Sequence, residues 1–142
     1  MSAPLPGERF AQALLRREWL PWALLGITLG LVEGATAAVL VKHRFSGSAG
    51  LWAVNLAVAF VSGAPALSNV ISFAWANIAH GRARVRLLVN LQAIFAISVG
   101  LLGIAPRASS GLVFTVLSVL CARMIWTGIL TVRSSVWIAN YP

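Results

Sequence analysis

The sequence predicts an all-α polytopic membrane protein with four transmembrane helices, and three observations support this class. The chain of 142 residues is 59% hydrophobic and only 10% charged, with a mean hydropathy of +0.87. Its apolar residues form four long runs separated by short polar segments. The basic residues lie mostly in those segments, as in proteins whose loops flank a bilayer. A soluble domain needs far more charge to cover its surface.

The remaining composition argues against several other classes of protein. The net charge is +8, but no basic amphipathic helix or aromatic-rich groove accompanies it, so we expect no nucleic-acid partner. The single cysteine, Cys121, lies in an apolar run and cannot form an internal disulfide. His43 and His80 do not combine with other ligand residues at metal-binding spacing. No phosphate loop, nucleophile elbow or carboxylate pair is visible, so we predict no cofactor, no metal and no enzymatic activity.

Residues 1–18 read as a cytoplasmic polar tail, and residues 19–142 as the membrane domain. The first predicted span covers residues 20–41, which at ~1.5 Å rise per residue crosses a hydrocarbon core of ~30 Å. A cleaved signal peptide ending near Ala37 is the alternative reading of this segment. The apolar run continues beyond that point and three more runs follow, which favours a span.

The second predicted span covers residues 51–79, and its length allows a tilt. Gly63 and Pro65 predict a kink near its middle. A basic loop over residues 80–86 leads to the third span at residues 87–105. A tight turn at residues 106–110 then leads to the fourth span at residues 111–138.

The distribution of basic residues predicts the orientation in the membrane. With a cytoplasmic N-terminus, six basic residues lie inside and three outside. The inside set is Arg9, Arg16, Arg17, Arg82, Arg84 and Arg86, and the outside set is Lys42, Arg44 and Arg107. We therefore expect an inner-membrane protein with both termini in the cytoplasm.

Small residues recur along the first span. Gly26, Gly30 and Gly34 are spaced by four, so they drift slowly along one helix face. Such a face lets a neighbouring helix approach closely. We expect close packing within the chain, with homodimerisation as the alternative.

Two charged residues lie deep within predicted spans. Glu33 is near the middle of the first span and Arg123 near the middle of the fourth. A charge at this depth rarely faces lipid. In four antiparallel spans the two reach similar depths, which predicts an ion pair or a shared polar cavity. Thr127 lies on the same face of the fourth span as Arg123, and a structural pair or a role in a substrate or proton pathway both remain open.

The second span carries a line of polar residues, Asn55, Ser62 and Asn69, at intervals of seven. Either interhelical hydrogen bonds or the lining of an aqueous path would explain this line. Most tryptophans lie near predicted span ends, where indoles favour the membrane interface. Trp22 and Trp75 belong to that group, whereas Trp126 is deeper. Arg133 is expected to extend toward the cytoplasmic end of the fourth span.

The loop after the second span, within residues 74–84 (AWANIAHGRAR), resembles the corresponding loop of the major facilitator superfamily of secondary transporters. That family has a G-x-x-x-D-R-x-G-R-R type pattern there. Gly81, Arg82 and Arg84 fit its G-R-x-R end, whereas Ala79 or His80 stands at the acidic position. Residues 131–142 (TVRSSVWIANYP) are similar to the end of the fourth helix in some bacterial members.

The resemblance implies the first four helices of a twelve-helix transporter, that is, a partial N-terminal half. Such a transporter moves a small solute by rocking two six-helix halves around a central site. Glu33, Arg123, Asn69 and Thr127 would then be candidates for a substrate or proton pathway. The expected partners are the bilayer, a small-molecule substrate, and the remaining helices of the transporter or a partner membrane protein.

Two other functions remain open from the sequence. The chain could be a four-helix membrane subunit that acts in interaction or assembly through its glycine face. It could also be a small homodimeric multidrug exporter, a class of four-span proteins whose first span also carries a central glutamate.

Overall fold

A computed structural model describes residues 6–80 and 83–140. This part of the chain is entirely helical and contains no strand, which confirms the predicted all-α class. The helices are α1 (Pro6–Val32), α2 (Gly34–Phe45), α3 (Leu51–Val70), α4 (Ser72–Ala79), α5 (Arg84–Ile104) and α6 (Ser109–Asn140). Three helices are long and apolar enough to cross a membrane. If the bent pair of α1 and α2 forms one span, the number of candidate spans is four.

The first predicted span is not a continuous helix. It divides at Glu33, whose φ of −64° and ψ of 137° are extended, and the segments 19–32 and 34–45 meet at a bend of 50°. Gly30 and Gly34 flank the break, and glycine weakens a helix by about 1 kcal/mol relative to alanine. In addition, α1 begins at Pro6. The helix therefore extends into the segment that the sequence predicts to be a polar tail.

The second predicted span is also interrupted, and the interruption lies outside the segment at Gly63 and Pro65 where the sequence predicts a kink or local loosening. Helix α3 continues through Gly63 and Pro65 and ends at Val70. The interruption lies at Ile71, and α4 begins at Ser72. The Ser68 hydroxyl donates to the Pro65 carbonyl at 2.8 Å. Valine and isoleucine adjoin the break, and β-branched residues are weak helix formers, which favours an end at this point.

Helices α5 and α6 agree closely with the third and fourth predicted spans, and α6 is the central element. Half of its most apolar 18-residue segment is buried, against 28% for α3 and 17% for α5. Helix α6 contacts each of the other five helices. Phe95 of α5 and Ile129 of α6 are fully buried within this core.

The turn between α5 and α6 depends on a glycine. A Cβ atom at Gly111 would lie 1.8 Å from the Pro106 carbonyl oxygen, so no other residue fits here without a shift of the turn. Gly111 also donates its backbone N–H to the Ala108 carbonyl at 2.9 Å. The tight turn expected at residues 106–110 is therefore present.

Two arginines join the ends of neighbouring helices. Arg44, at the end of α2, donates to the Leu102 carbonyl at 3.4 Å and to the Ala105 carbonyl. These carbonyls lie at the C-terminal end of α5, where the last turn lacks helical donors and favours a cation. Arg84, at the start of α5, donates to the Ser135 carbonyl near the end of α6 at 3.1 Å. These contacts fit an up-and-down arrangement of the predicted spans.

Large apolar side chains cover much of the outer surface. Trp52 is 77% exposed, Phe73 is 71% exposed and Ile104 is 74% exposed. Soluble monomers rarely expose extended apolar patches. This surface therefore suits a lipid environment better than water.

A charged pair at a helix break

Glu33 and Arg123 form an ion pair, as the matching depths of the two residues predict. Arg123 Nη1 donates to Glu33 Oε2 at 3.2 Å. Glu33 lies between the two halves of the first span, and Arg123 lies near the middle of α6. The Arg123 side chain is 11% exposed, whereas that of Glu33 is 50% exposed. The pair therefore presents its carboxylate outward and keeps its guanidinium among the helices.

The break places Glu33 between two helix ends. The last turn of α1 leaves carbonyl groups without helical donors, and the first turn of α2 leaves N–H groups without helical acceptors. No side-chain hydrogen bond caps the start of α2. The helix dipole makes the start of α2 partly positive and the end of α1 partly negative. The site thus combines a carboxylate, a guanidinium and exposed backbone ends.

Arg123 retains unused hydrogen-bonding capacity. Its Nε atom is buried and has no hydrogen-bond partner within the described residues. A guanidinium carries five N–H donors, and Glu33 accepts from Nη1. A second acceptor, such as an oxygen of a bound solute, would complete this group.

Thr127 lies one turn after Arg123 on α6. Its hydroxyl donates to the Arg123 carbonyl at 3.2 Å, and the residue is half-buried. The threonine oxygen still has lone pairs that can accept a hydrogen bond. Thr127 is therefore beside the ion pair, although its own proton is used within the helix.

The other polar candidates are not part of this arrangement. Asn69 is exposed near the end of α3 and has no side-chain hydrogen bond within the described residues. Asn55 and Ser62 are also exposed and likewise unbonded there. Within the described chain these residues therefore make no interhelical hydrogen bond, and that interpretation stays a prediction. The aqueous path remains a prediction.

The glycine face divides at the break. A Cβ atom at Gly34 would lie 3.4 Å from the Ser62 carbonyl oxygen, so α2 and α3 approach closely there. At Gly26 and Gly30 no atom of the described residues lies within 4 Å of such an atom. Close packing within the chain is therefore correct for Gly34 and wrong for Gly26 and Gly30. The 50° bend turns the α1 part of the face away from α3.

The loop motif is only partly visible, since Gly81 and Arg82 lie outside the described residues. Arg84 belongs to α5, where it bonds the Ser135 carbonyl. Its charge thus holds the start of α5 against α6.

An aromatic cluster between α1, α5 and α6 was not predicted. The Arg133 guanidinium carbon lies 3.2 Å from the centre of the Trp22 ring. Trp22 meets Trp126 edge-on at 6.1 Å between ring centres, and Trp126 meets Phe95 at 5.5 Å. Trp22 and Arg133 contact each other, and their predicted location at the membrane interface stays a prediction. The signal in the sequence is the interval of seven between Trp126 and Arg133, which places them on one face of α6.

A second close contact was also missed. A Cβ atom at Gly128 would lie 2.7 Å from the Trp75 ring, so this glycine admits the indole between α4 and α6. Trp75 Nε1 is buried without a hydrogen-bond partner in the described chain. Trp75 is therefore a packing residue, and the interval between Trp75 and Gly128 offers no sequence signal for the contact.

The remaining chemistry of the described chain is limited. Within residues 6–80 and 83–140, no three His, Cys, Asp or Glu residues are grouped as a metal ion would require. No protein-family model matches the chain, and comparisons with curated proteins and with solved structures also give no match.

Proposed function

We propose that this chain spans a membrane four times and forms part of a transporter for a small solute. The charged pair at the helix break is the observation that carries the proposal. In many transporters, broken helices bring backbone ends and charged side chains to a binding site at mid-membrane. Here a half-exposed carboxylate, a buried guanidinium and two helix ends meet at one point.

In the proposed site, a solute or a proton replaces the interaction between Glu33 and Arg123. Glu33 and Arg123 satisfy each other when no solute is bound. A solute with an acceptor group competes for Arg123, and protonation of Glu33 removes its attraction for Arg123. Either event loosens the contact between the first span and α6. Glu33 is the proposed coupling residue and Arg123 the proposed solute-binding residue, with Thr127 as an acceptor beside them.

The proposal includes the resemblance to the major facilitator superfamily. In that scheme these four spans are the beginning of the N-terminal half, and further helices complete the pathway. Alternating access then requires the two halves to rock about the site. The proposed location is the inner membrane with both termini in the cytoplasm, since more basic residues fall on that side.

The first test asks whether water reaches the pair. A Cys121→Ala background removes the natural thiol, and Glu33→Cys introduces one at the break. Ile94→Cys in α5 is the control, because Ile94 is an exposed apolar residue near the middle of its helix. A membrane-impermeant thiol reagent should modify the residue at 33 and leave that at 94 unmodified. Equal protection of both positions from the reagent would contradict an aqueous site.

The second test measures coupling. The chain is reconstituted together with the helices that complete the pathway, in vesicles with an internal pH dye, and a panel of amino acids, sugars and organic acids is added. We expect proton movement with at least one solute, and its loss in Glu33→Gln. The double variant Glu33→Arg/Arg123→Glu keeps two opposite charges, but the carboxylate is then at position 123 and the guanidinium at position 33. Recovered folding without recovered coupling supports the proposal, whereas full recovery of coupling would assign the pair a structural role.

A second candidate function is assembly with another membrane helix. The α1 face at Gly26 and Gly30 is open, and its neighbours Ile27 and Leu31 are 67% and 49% exposed. A partner subunit, or a second copy as in a small homodimeric exporter, would fit this face. Crosslinking of an Ile27→Cys variant in membranes distinguishes these cases, because only a second copy gives a linked homodimer. Gly30→Leu should abolish the crosslink, and Gly63→Leu is the control because Gly63 also faces open space.

A further inference from the structure

A groove of about 630 Å³ runs along one face of α2 and reaches the turn between α5 and α6. Its lining residues are Thr36, Val39, Leu40, His43, Arg44 and Arg107. This groove lies on the side of α2 that extends from the helix break to its C-terminal end. It is separate from the contact between Glu33 and Arg123.

The groove has a charged end and an apolar length. The α2 residues that line it follow the i, i+3, i+4, i+7 pattern from Thr36 to His43, so they share one helix face of about 10 Å. Val39 is 69% exposed and Leu40 is 37% exposed along this face. The basic side chains gather where α2 ends. The groove therefore joins a basic end to an apolar length, as the binding of an amphiphilic molecule requires.

The charge at that end is positive and uncompensated. Glu33 is the only acidic residue whose side chain the structure describes, and it does not line the groove. Arg44 is held in place by the Leu102 and Ala105 carbonyls, and its buried Nε has no partner within the described residues. His43 and Arg107 are exposed and have no hydrogen bond or ion pair in that same part of the chain.

We propose that this groove binds a phospholipid with an anionic headgroup. The phosphate contacts Arg107, His43 and the guanidinium edge of Arg44, and one acyl chain lies along Val39 and Leu40. A free anion would use only the charged end and leave the apolar length unfilled. A zwitterionic headgroup adds a cation that has no acidic partner in the groove. The match of charge and length thus selects an anionic lipid.

The test compares lipids that differ only in the headgroup. The purified full chain in detergent is titrated with phosphatidylglycerol or phosphatidylcholine of identical acyl chains, and bound lipid is counted by native mass spectrometry. We expect phosphatidylglycerol to bind at least tenfold more tightly. Arg107→Gln should weaken it about fivefold, the effect of one basic residue near a lipid surface. Lys42→Gln is the matched control, since Lys42 is exposed at the same end outside the groove.

Two further arms separate the possible sources of the phosphate. Glycerol phosphate and inorganic phosphate should compete only at concentrations far above those of the lipid. If either competes as effectively as the whole lipid, the site binds a free anion and the proposal is wrong. If Arg107→Gln and Lys42→Gln weaken phosphatidylglycerol binding equally, the binding depends on general surface charge, and the proposal is also wrong. A headgroup preference that is retained in Lys42→Gln and reduced about fivefold in Arg107→Gln supports the lipid site.

Discussion

The two halves of the first span are both rich in apolar residues but pack very differently. In α2, Gly34, Ala37, Val41 and Phe45 are all buried. Over residues 19–32 of α1, Val32 is the only buried residue. Both halves carry small residues at the same spacing. The difference arises at Glu33, where an extended backbone turns the second half onto α3 and leaves the first half outside that contact.

This comparison shows that the direction of a helix, and not the spacing of its small residues alone, decides whether those residues pack against another helix. Spacing alone makes Gly26, Gly30 and Gly34 equivalent, but Gly34 alone among them approaches another backbone. The well-packed half is anchored further by Arg44 at the end of α5. The loosely packed half contacts α6 through Trp22. A bend between a fixed and a lightly held segment is the arrangement that a hinge requires.

The largest expected effect is the difference in stability between substitutions at Gly34 and at Gly30. Gly34→Leu places a large side chain against the Ser62 backbone and should destabilise the protein by about 1–3 kcal/mol, the usual range for overpacking. Gly30→Leu fills open space and should change stability by less than about 0.5 kcal/mol. Thermal unfolding in detergent measures both variants. Equal effects would show that the two halves pack alike and would remove the basis of the comparison.

A second prediction concerns the two sides of the ion pair. Glu33→Gln leaves a largely buried guanidinium without its carboxylate, whereas Arg123→Met leaves a half-exposed carboxylate that solvent can reach. We expect Glu33→Gln to cost about 1–2 kcal/mol, within the range for leaving a buried donor without its acceptor. Arg123→Met should cost less, because the charge that remains is the accessible one. Unfolding by denaturing detergent measures both, and a larger loss in Arg123→Met would contradict the described exposures.

Much of this arrangement follows from the sequence, for definite physical reasons. Long apolar runs determine where α5 and α6 lie, because only helices satisfy the backbone within an apolar surrounding. The pairing of Glu33 with Arg123 follows from their depths and from the cost of an isolated charge there. These inferences depend on length and polarity, which are properties of single segments. The role of the pair in transport is a separate matter and stays a prediction.

The features that sequence reasoning missed depend on contacts between distant segments. Glutamate is a good helix former, so nothing in its propensity predicts a break at Glu33. The close approach of Gly34 to Ser62 and of Gly128 to Trp75 arises only when the helices are assembled. Proline at position 65 suggested a kink, but α3 continues through it to Val70. Local signals of this kind are weaker than the tertiary contacts that finally decide helix direction.

The smallest expected effect tests how the first half is held. Arg133 lies over the Trp22 ring, and cation–π contacts of this kind contribute about 0.5–2 kcal/mol. Each residue also has other neighbours, such as Trp126 beside Trp22, so single substitutions mix several effects. A double-mutant cycle of Trp22→Leu and Arg133→Gln isolates the shared part. We expect a coupling of about 0.5–1 kcal/mol by thermal unfolding, and a smaller coupling when Arg133→Lys replaces Arg133→Gln, because lysine keeps a cation that can lie over the ring.

The same cycle has a second readout that links stability to the hinge. Spin labels on Ile27→Cys and Ile97→Cys, in a Cys121→Ala background, report the distance between α1 and α5. If the contact with Arg133 holds α1, then Trp22→Leu should broaden that distance distribution. The distribution between Val39→Cys and Ile97→Cys should stay narrow, because α2 packs on α3 through Gly34. Broadening of both distributions together would mean that the bundle loosens as a whole, and α1 would not be a separately held segment.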